Sequence, residues 1–169
     1  MIKDYFMMLF GFRKGGTSYD KNSLMMILLS LASIIAVTAF ELYSFGGGVF
    51  SFEIGGAAVF LFGAIIRTTS RLQLGKLFTF NVKIMHDHKL KKDGLYAYVR
   101  HPGYTGLILE VLGWVIFFKT WLGTIAAAIF FLPSLYYRIQ VEEDILKRNF
   151  KDKYEEYSRE VKALIPGIF

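Results

Sequence analysis

The chain has 169 residues, of which 54% are hydrophobic and only 20% charged; its formal net charge is +6. The length fits one domain, and this composition, with a positive mean hydropathy, excludes an ordinary soluble one. Zero cysteines exclude disulfide frameworks, thiolate zinc, iron–sulfur clusters and a cysteine nucleophile, and three histidines leave little for a metal centre.

In chain order, Met1–Phe12 holds the apolar side chains Tyr5, Phe6, Met7, Met8, Leu9, Phe10 and Phe12 but lacks the basic start of a cleavable signal. A short interfacial helix on the membrane surface is expected there. Asn22 to Phe40 gives 19 uncharged residues between Lys21 and Glu41, close to the ~20 needed to cross a bilayer core. A second span is expected from Val49 to Ile66, after the flexible turn Gly46-Gly47-Gly48 and with Glu53 near its start. The third, Pro102 to Phe118, carries one charge, Glu110. The fourth, Thr120 to Tyr137, is uncharged and contains Pro133, which a membrane helix tolerates where neighbours re-satisfy the freed backbone. From Asp144 to Val161, Ile145, Leu146, Phe150, Tyr154, Tyr157 and Val161 recur at three- and four-residue intervals, the pattern of an amphipathic helix, and Pro166 ends it. The expected fold is therefore all-α: a polytopic integral membrane bundle of about four spans, an N-terminal interfacial helix and a cytoplasmic C-terminal amphipathic helix, in a single domain of residues 1–169.

The basic residues set the orientation. Four Lys and Arg precede the first span, eight lie from Arg67 to Arg100, one is Lys119 and seven run from Arg138 to the end. With four spans, nineteen of twenty fall on one side, and the positive-inside bias makes that side cytoplasmic, together with both termini and the 67–101 connection. The excess charge is then topology, and nucleic acid is not an expected partner.

Chemistry concentrates in the cytoplasmic connection and the tail. Residues 86–106 read His-Asp-His-Lys-Leu-Lys-Lys-Asp-Gly-Leu-Tyr-Ala-Tyr-Val-Arg-His-Pro-Gly-Tyr-Thr-Gly. Asp93-Gly94 is a turn signal, and Pro102 stands at the favoured first turn of the third helix. Backbone amides around Gly103 and Tyr104 then present the positive end of the helix dipole, suited to an anionic group. Tyr96, Tyr98 and Tyr104 offer flat faces and hydroxyls that could hold a nucleoside. Arg138 and Glu142, four residues apart, share a helical face where the fourth span leaves the bilayer; spacing alone reads as well as a solvated ion pair. Glu110 is costly against lipid, by roughly 2.5 to 3.5 kcal/mol, and so should face inward. Gly106 and Gly113 share its stripe. Structural hydrogen bonding and recognition of a bound molecule are both open to it. Gly56, Gly63, Gly123 and Ala127 read as helix-packing positions, and Trp114 and Trp121 as an aromatic belt at the extracytoplasmic end of the last hairpin.

The run His88-x-Leu90, Gly94-x-Tyr96, Arg100-His101-Pro102-x-Tyr104-x-Gly106, then Arg138-x-x-x-Glu142-Glu143, Phe150, Tyr154 and Tyr157 resembles the isoprenylcysteine carboxyl methyltransferase family and its phospholipid methyltransferase relatives. The resemblance covers about residues 81–166. It implies a multi-span membrane enzyme that binds S-adenosylmethionine from the cytosol and methylates a lipophilic acceptor, most simply the carboxylate of an isoprenylated cysteine. In these terms residues 1–80 supply N-terminal spans and 81–169 the cofactor-binding and catalytic half. The family's cofactor positions fall on His88, Lys89, Leu90, Lys91, Tyr96, His101, Pro102, Gly103, Tyr104 and Glu142, and the acceptor position on Arg138, so that Arg138 and Glu142 form the implied catalytic pair. A cofactor-contacting glutamine of the family appears here as Asn81, one methylene shorter. No metal is expected. Two other readings use the same features: a sterol-type membrane reductase scaffold that binds NADPH, and a non-enzymatic protein whose basic loop binds anionic lipid headgroups.

Overall fold

The computed structural model describes residues 22–45, 53–75 and 90–168, together with the backbone of 17–18 and 83–84. The expected interfacial helix at Met1–Phe12 and the Gly46–Gly48 turn lie outside the described residues. Four long helices dominate: α1 (Ser23–Ser44), α2 (Ile54–Leu74), α3 (Pro102–Phe117) and α4 (Trp121–Phe150), followed by a short α5 (Asp152–Glu160). A 3-10 turn, Gly94–Ala97, precedes α3. The described residues also include a two-residue antiparallel ladder, β1 (Thr17–Ser18) with β2 (Lys83–Ile84), Thr17 opposite Ile84, and an isolated bridge between Val99 and Lys162. By length and composition α1 and α4 are each apolar enough to cross a membrane, and α3 is a shorter apolar helix.

The polarity of the helices is inverted relative to a water-soluble bundle. The buried stripe of α1 is Ser23, Ile27, Ser30, Ile34, Thr38 and Glu41, spaced by three or four residues, while Met25, Met26, Leu28, Leu29, Ile35 and Phe40 face outward. α2 buries Gly56, Gly63 and Ser70 and exposes Ile54, Leu61, Phe62 and Ile65. A chain in water buries its large apolar groups first; helices in lipid gain nothing by that, and turn small and polar residues toward one another.

Two pairings build the bundle: α1 lies along α4, and α2 along α3. The second pair is antiparallel and interlocked through glycine. A Cβ on Gly63 would stand 2.6 Å from the Gly106 carbonyl oxygen, one on Gly106 would stand 2.6 Å from the Gly63 carbonyl oxygen, and Gly56 and Gly113 face each other in the same way two helical turns further along. Beside this contact Glu110 is buried, as expected, with Oε1 2.7 Å from Arg67 Nε. The charge on α3 is thus met by one on its closest neighbour. Between the pairs sits a core of Ile27 and Ile34 from α1, Leu107 and Val111 from α3, and Ala126, Phe131, Leu135 and Ile139 from α4. Trp114 packs against this core, and its Nε1 donates to Thr38 Oγ1 at 3.3 Å. Only Trp121 of the expected aromatic belt faces outward, because the indole of Trp114 finds an acceptor inside.

The hairpin between α3 and α4 spans only Phe118–Thr120, with Lys119 left-handed (φ 49°). The first turn of α4 is capped from α1: the Glu41 carboxylate accepts from the Trp121 amide (3.2 Å), the Leu122 amide (3.1 Å) and the Thr120 hydroxyl (2.5 Å), while Thr120 Oγ1 accepts from the Gly123 amide (2.9 Å). Three amides that a helix start leaves orphaned are satisfied, next to a negative charge that suits the dipole. Before Pro133 the helix widens into a π turn, Ala127–Phe131, and the Ser134 hydroxyl donates to the Phe130 carbonyl (2.6 Å). This local loosening accommodates the missing proline donor without breaking the helix.

The C-terminal amphipathic helix differs from expectation. α4 runs on without interruption to Phe150, well past the expected end of the span at Tyr137, and the chain then breaks at Lys151, whose φ is 45°. α5 starts afresh with Asp152 and Glu155 in its first turn and ends at Glu160, before Pro166. The periodicity across 144–161 is real on both sides of the break; the left-handed residue only redirects it, so that α5 buries Tyr154 and Tyr157.

The glycine interlock predicts that Gly63→Ala forces α2 and α3 apart, since a methyl group there meets backbone on the neighbouring helix. A loss of about 1–3 kcal/mol is expected, read as a lower melting temperature in detergent, while Gly55→Ala, whose Cβ meets nothing within 4 Å, leaves melting unchanged or slightly raised.

Candidate functional site

The start of α3 and the polar half of α4 converge. Pro102 takes the first helical position of α3, His101 precedes it, and both are buried. The Tyr104 and Thr105 amides turn back to the His101 carbonyl at 3.0 and 3.1 Å, so the anion-holding part expected of this turn falls to the Gly103 amide. Tyr104 stacks on His101 with ring centroids 5.6 Å apart. Its hydroxyl donates to Glu142 Oε2 at 2.7 Å and accepts from Arg138 Nε at 3.0 Å. The phenol thus stands between the two residues that spacing had placed on one face, and the expected pair is wired through an aromatic residue of another helix. Arg138 is buried and also donates from Nη1 to Ser23 Oγ at 2.8 Å, which ties the group to the first turn of α1.

His101 lies between two consecutive carboxylates. Its Nδ1 is 4.0 Å from Glu142 Oε2 and its Nε2 is 3.2 Å from Glu143 Oε1. Glu143 is buried, and the same oxygen accepts from Arg100 Nε (3.1 Å) and Nη2 (2.5 Å). The remaining arm of Arg100, Nη1, donates to the carbonyls of Val161 (2.5 Å) and Ser158 (3.1 Å). Burial opposes the Arg100 charge, but the Glu143 carboxylate outweighs it and holds the guanidinium pKa above its ordinary value. The segment after α5 continues the clamp: the Arg100 amide donates to Lys162 O (2.8 Å), the His101 amide to Ala163 O (2.9 Å) and Thr105 Oγ1 to Leu164 O (2.9 Å). Residues 158–164 therefore strap the loop to the base of α3.

The loop before α3 is fixed from two sides. The Leu95 amide donates to Gln73 Oε1 on α2 (2.9 Å), and Gly94, at φ 63°, has no room for a Cβ against the same Gln73 side chain. Tyr96 is buried; its hydroxyl donates to Ser70 O (3.4 Å) and its carbonyl accepts from Tyr157 on α5 (2.5 Å). Burial first, and then the Glu142 charge, push the Tyr96 hydroxyl well up, and burial pushes that of Tyr157 up to about 12, so both remain protonated donors. Leu90 and Lys91 are half-buried, with the Lys91 ammonium 3.0 Å from Asp93. Asn81, His88 and Lys89 lie outside the described residues.

Of the residues picked from the sequence, His101, Tyr104, Arg138 and Glu142 form one connected cluster, with Pro102 and Gly103 in its supporting turn. Arg100 and Glu143 were quoted in the motif without a role, and both prove central. The available signal was their adjacency to His101 and Glu142: neighbouring residues on a helix point about 100° apart, so a doubled carboxylate addresses two partners. Ser23, Gln73 and Ser70 carried no such signal. Among the described residues no group of His, Asp and Glu has the arrangement to hold a metal.

Comparison with known proteins gives one consistent result. The model of the isoprenylcysteine carboxyl methyltransferase family matches residues 56–148. A Schizosaccharomyces pombe protein-S-isoprenylcysteine O-methyltransferase is 35% identical over 108 residues, 63% of this chain and 46% of that protein. A probable protein-S-isoprenylcysteine O-methyltransferase of Oryza sativa subsp. indica is 31% identical over 115 residues, 67% of this chain and 60% of that one. The solved structure of a eukaryotic intramembrane Ras methyltransferase, an isoprenylcysteine carboxyl methyltransferase, superposes with a TM-score of 0.66 at 27% identity, covering 83% of this chain and 52% of the other. The chain thus spans about half the length of the relatives it matches.

The clamp around Glu143 predicts the effect of Arg100→Gln. It leaves a buried carboxylate without its strongest partner and frees two carbonyls of the strap, at an expected cost of roughly 3–5 kcal/mol. Hydrogen exchange should accelerate in 158–164 before it does in α1; equal acceleration throughout would show that the strap is not a separate unit.

Proposed function

The chain belongs to the isoprenylcysteine carboxyl methyltransferase family, and on that premise we propose that it is an S-adenosylmethionine-dependent methyltransferase acting at the cytosolic face of a membrane. The acceptor we propose is the carboxylate of an isoprenylated cysteine or a similar lipophilic molecule. The observation that carries this reading is the Arg138–Tyr104–Glu142–His101 cluster, which places a fixed cation, a carboxylate and an imidazole at the mouth of apolar helices.

The donor set suits such a methyl donor. Glu142 keeps a third of its side chain exposed (32%) while His101 and Arg138 are buried, so the cluster's reachable carboxylate is the one able to take an ammonium group. The Gly103 amide and the positive end of α3 suit a carboxylate, and Leu90 with the rings of Tyr96 and Tyr104 supplies apolar wall for an adenine. When bound, S-adenosylmethionine supplies a methyl group already activated on a sulfonium sulfur. The protein's own work is then alignment and exclusion of water, an effect worth up to ~7–11 kcal/mol. Arg138, whose guanidinium plane is set by Tyr104 and Ser23, orients an anionic acceptor as a rigid fork. A carboxylate acceptor is nucleophilic without losing a proton, and nothing in this cluster has to act as a strong base.

The same reading covers topology and organisation. Four spans, with both termini and the cluster cytosolic, agree with outward apolar faces on α1 and α2 and with the basic residues grouped at one end. A single domain of residues 1–169 is supported by the pairing of each N-terminal helix with one from the C-terminal half, α1 with α4 and α2 with α3. Among the described residues the basic loop offers Lys91 and Lys92 to lipid headgroups, which leaves the buried arginine–tyrosine–glutamate wiring without a purpose.

Detergent-purified protein should bind S-adenosylmethionine and its demethylated product in calorimetry and should transfer radiolabelled methyl to a farnesylated cysteine analogue. Binding of NADPH alone would replace this reading with a reductase. Arg138→Lys should lower kcat/KM for the acceptor by about 10- to 100-fold, the scale of a lost bidentate contact, with the methyl donor's affinity nearly kept. Loss of donor binding instead would move Arg138 into the donor site.

A further inference from the structure

Whereas the neighbouring Glu142 is partly exposed, Glu143 is buried. Its Oε1 serves three donors at once: Arg100 Nε, Arg100 Nη2 and the His101 ring. A carboxylate paired with a buried arginine is ionised and can only accept. The imidazole nitrogen that meets it must therefore carry hydrogen, and that nitrogen is Nε2, 3.2 Å away. In a neutral imidazole the other nitrogen, Nδ1, is then a bare acceptor. Nδ1 looks toward Glu142 Oε2 across 4.0 Å, beyond hydrogen-bond length. Two acceptors so placed are served together by one group with two N–H bonds, such as a primary ammonium.

We propose that Glu143 is a positioning residue that holds His101 as the Nε2–H tautomer, presenting Nδ1 and Glu142 as a matched pair of acceptors to the ammonium group of the methyl donor; the ammonium part of this inference rests on the methyltransferase reading above. Arg100 is its counterpart, because it fixes the Glu143 oxygen and anchors it to Ser158 and Val161 of the strap. The Lys147 ammonium, 3.9 Å from the other Glu143 oxygen, completes the charge around it. The His101 backbone amide donates to the Ala163 carbonyl, which ties this residue as well to the strap. The second of two consecutive glutamates thus acts on the ligand through a histidine, while the first touches it directly.

The test is 15N NMR of the full chain with labelled histidine in detergent, the His101 signals being those lost in His101→Gln. Wild-type protein should show a protonated Nε2 and an unprotonated Nδ1. In Glu143→Gln the side-chain amide can donate to Nε2, so the Nδ1–H form gains population. The dissociation constant for S-adenosylmethionine should then rise about tenfold, the scale of one lost charge-assisted hydrogen bond. Turnover at saturating donor should stay within about threefold, because Glu143 meets no reacting atom. A merely structural Glu143 would lower the folded fraction and leave the ring signals of the folded protein in place. A proton on Nδ1 in the wild type, or a folded Glu143→Gln with unchanged ring signals, overturns the proposal; should that variant not fold, the wild-type spectrum decides alone. Expected ring signals in a wild-type protein that binds no S-adenosylmethionine would sink the methyltransferase reading and the ammonium part, and leave the tautomer assignment standing.

Discussion

The carboxylate of Glu143 is the point at which the loop, the last long helix and the tail become one body. Without it the Arg100 guanidinium would have to leave a buried place, the strap carbonyls of Ser158 and Val161 would lose their donor, and His101 would lose the partner of one ring nitrogen. An ion pair in such a place gains little net stability, since desolvating both charges costs nearly what their attraction returns. Its effect is on uniqueness: one arrangement of three separate segments pairs Glu143 with Arg100 and His101 and the strap carbonyls with Arg100, and alternatives strand a charge. That is a useful property at the edge of a bilayer, where packing of apolar groups against lipid tails discriminates poorly between arrangements.

The same economy governs the spans. α2 and α3 approach until the carbonyls of Gly63 and Gly106 fill the space where side chains would stand, and the close approach lets Glu110 meet Arg67 at 2.7 Å within the pair. Glu41 plays the equivalent part at the far end by closing the first turn of α4 from α1. Glu110 and Glu41 thus each complete a contact between helices. For Glu110, left open between structural bonding and acceptor recognition, the pairing with Arg67 favours the structural part, because the carboxylate faces α2 and the cluster faces α4.

Much of this was legible in the residues. Runs of uncharged side chains located all four long helices, closely at the start of α1 and at both ends of α3 but short of the ends of α2 and α4, where the helix continues through charged residues, and the inward turn of Glu110 followed from its cost against lipid. The Arg-His-Pro element and the arginine–glutamate spacing picked out residues that the fold brings together in one cluster. What spacing could not supply was connectivity across helices. Arg138 and Glu142 look like a local ion pair until Tyr104, 34 residues earlier, is seen between them. Similarly, Glu41 and Trp114 seemed to be boundary residues because their partners, at 120–122 and Thr38, belong to other helices. The break at Lys151 was hidden for another reason: a lysine at positive φ has no signature in periodicity, which continues across it.

The connection from Ser23 to the candidate site shows how separate helices hold one polar cluster in place. The Ser23 hydroxyl is fully buried at the very start of α1 and accepts from Arg138 Nη1. Arg138 in turn meets Tyr104, Tyr104 meets Glu142, and Tyr104 stacks on His101, whose ring ends on Glu143 and thereby on Arg100 and the strap. Every long helix but α2 contributes a member to this one chain of hydrogen bonds, and α2 enters through Ser70 and Gln73 beneath the preceding loop. A rigid-body shift of any helix therefore moves the cluster. Arg138 is held in place by polar bonds that tie the long helices together, and the apolar core of Ile34, Val111 and Leu135 fills the space between them.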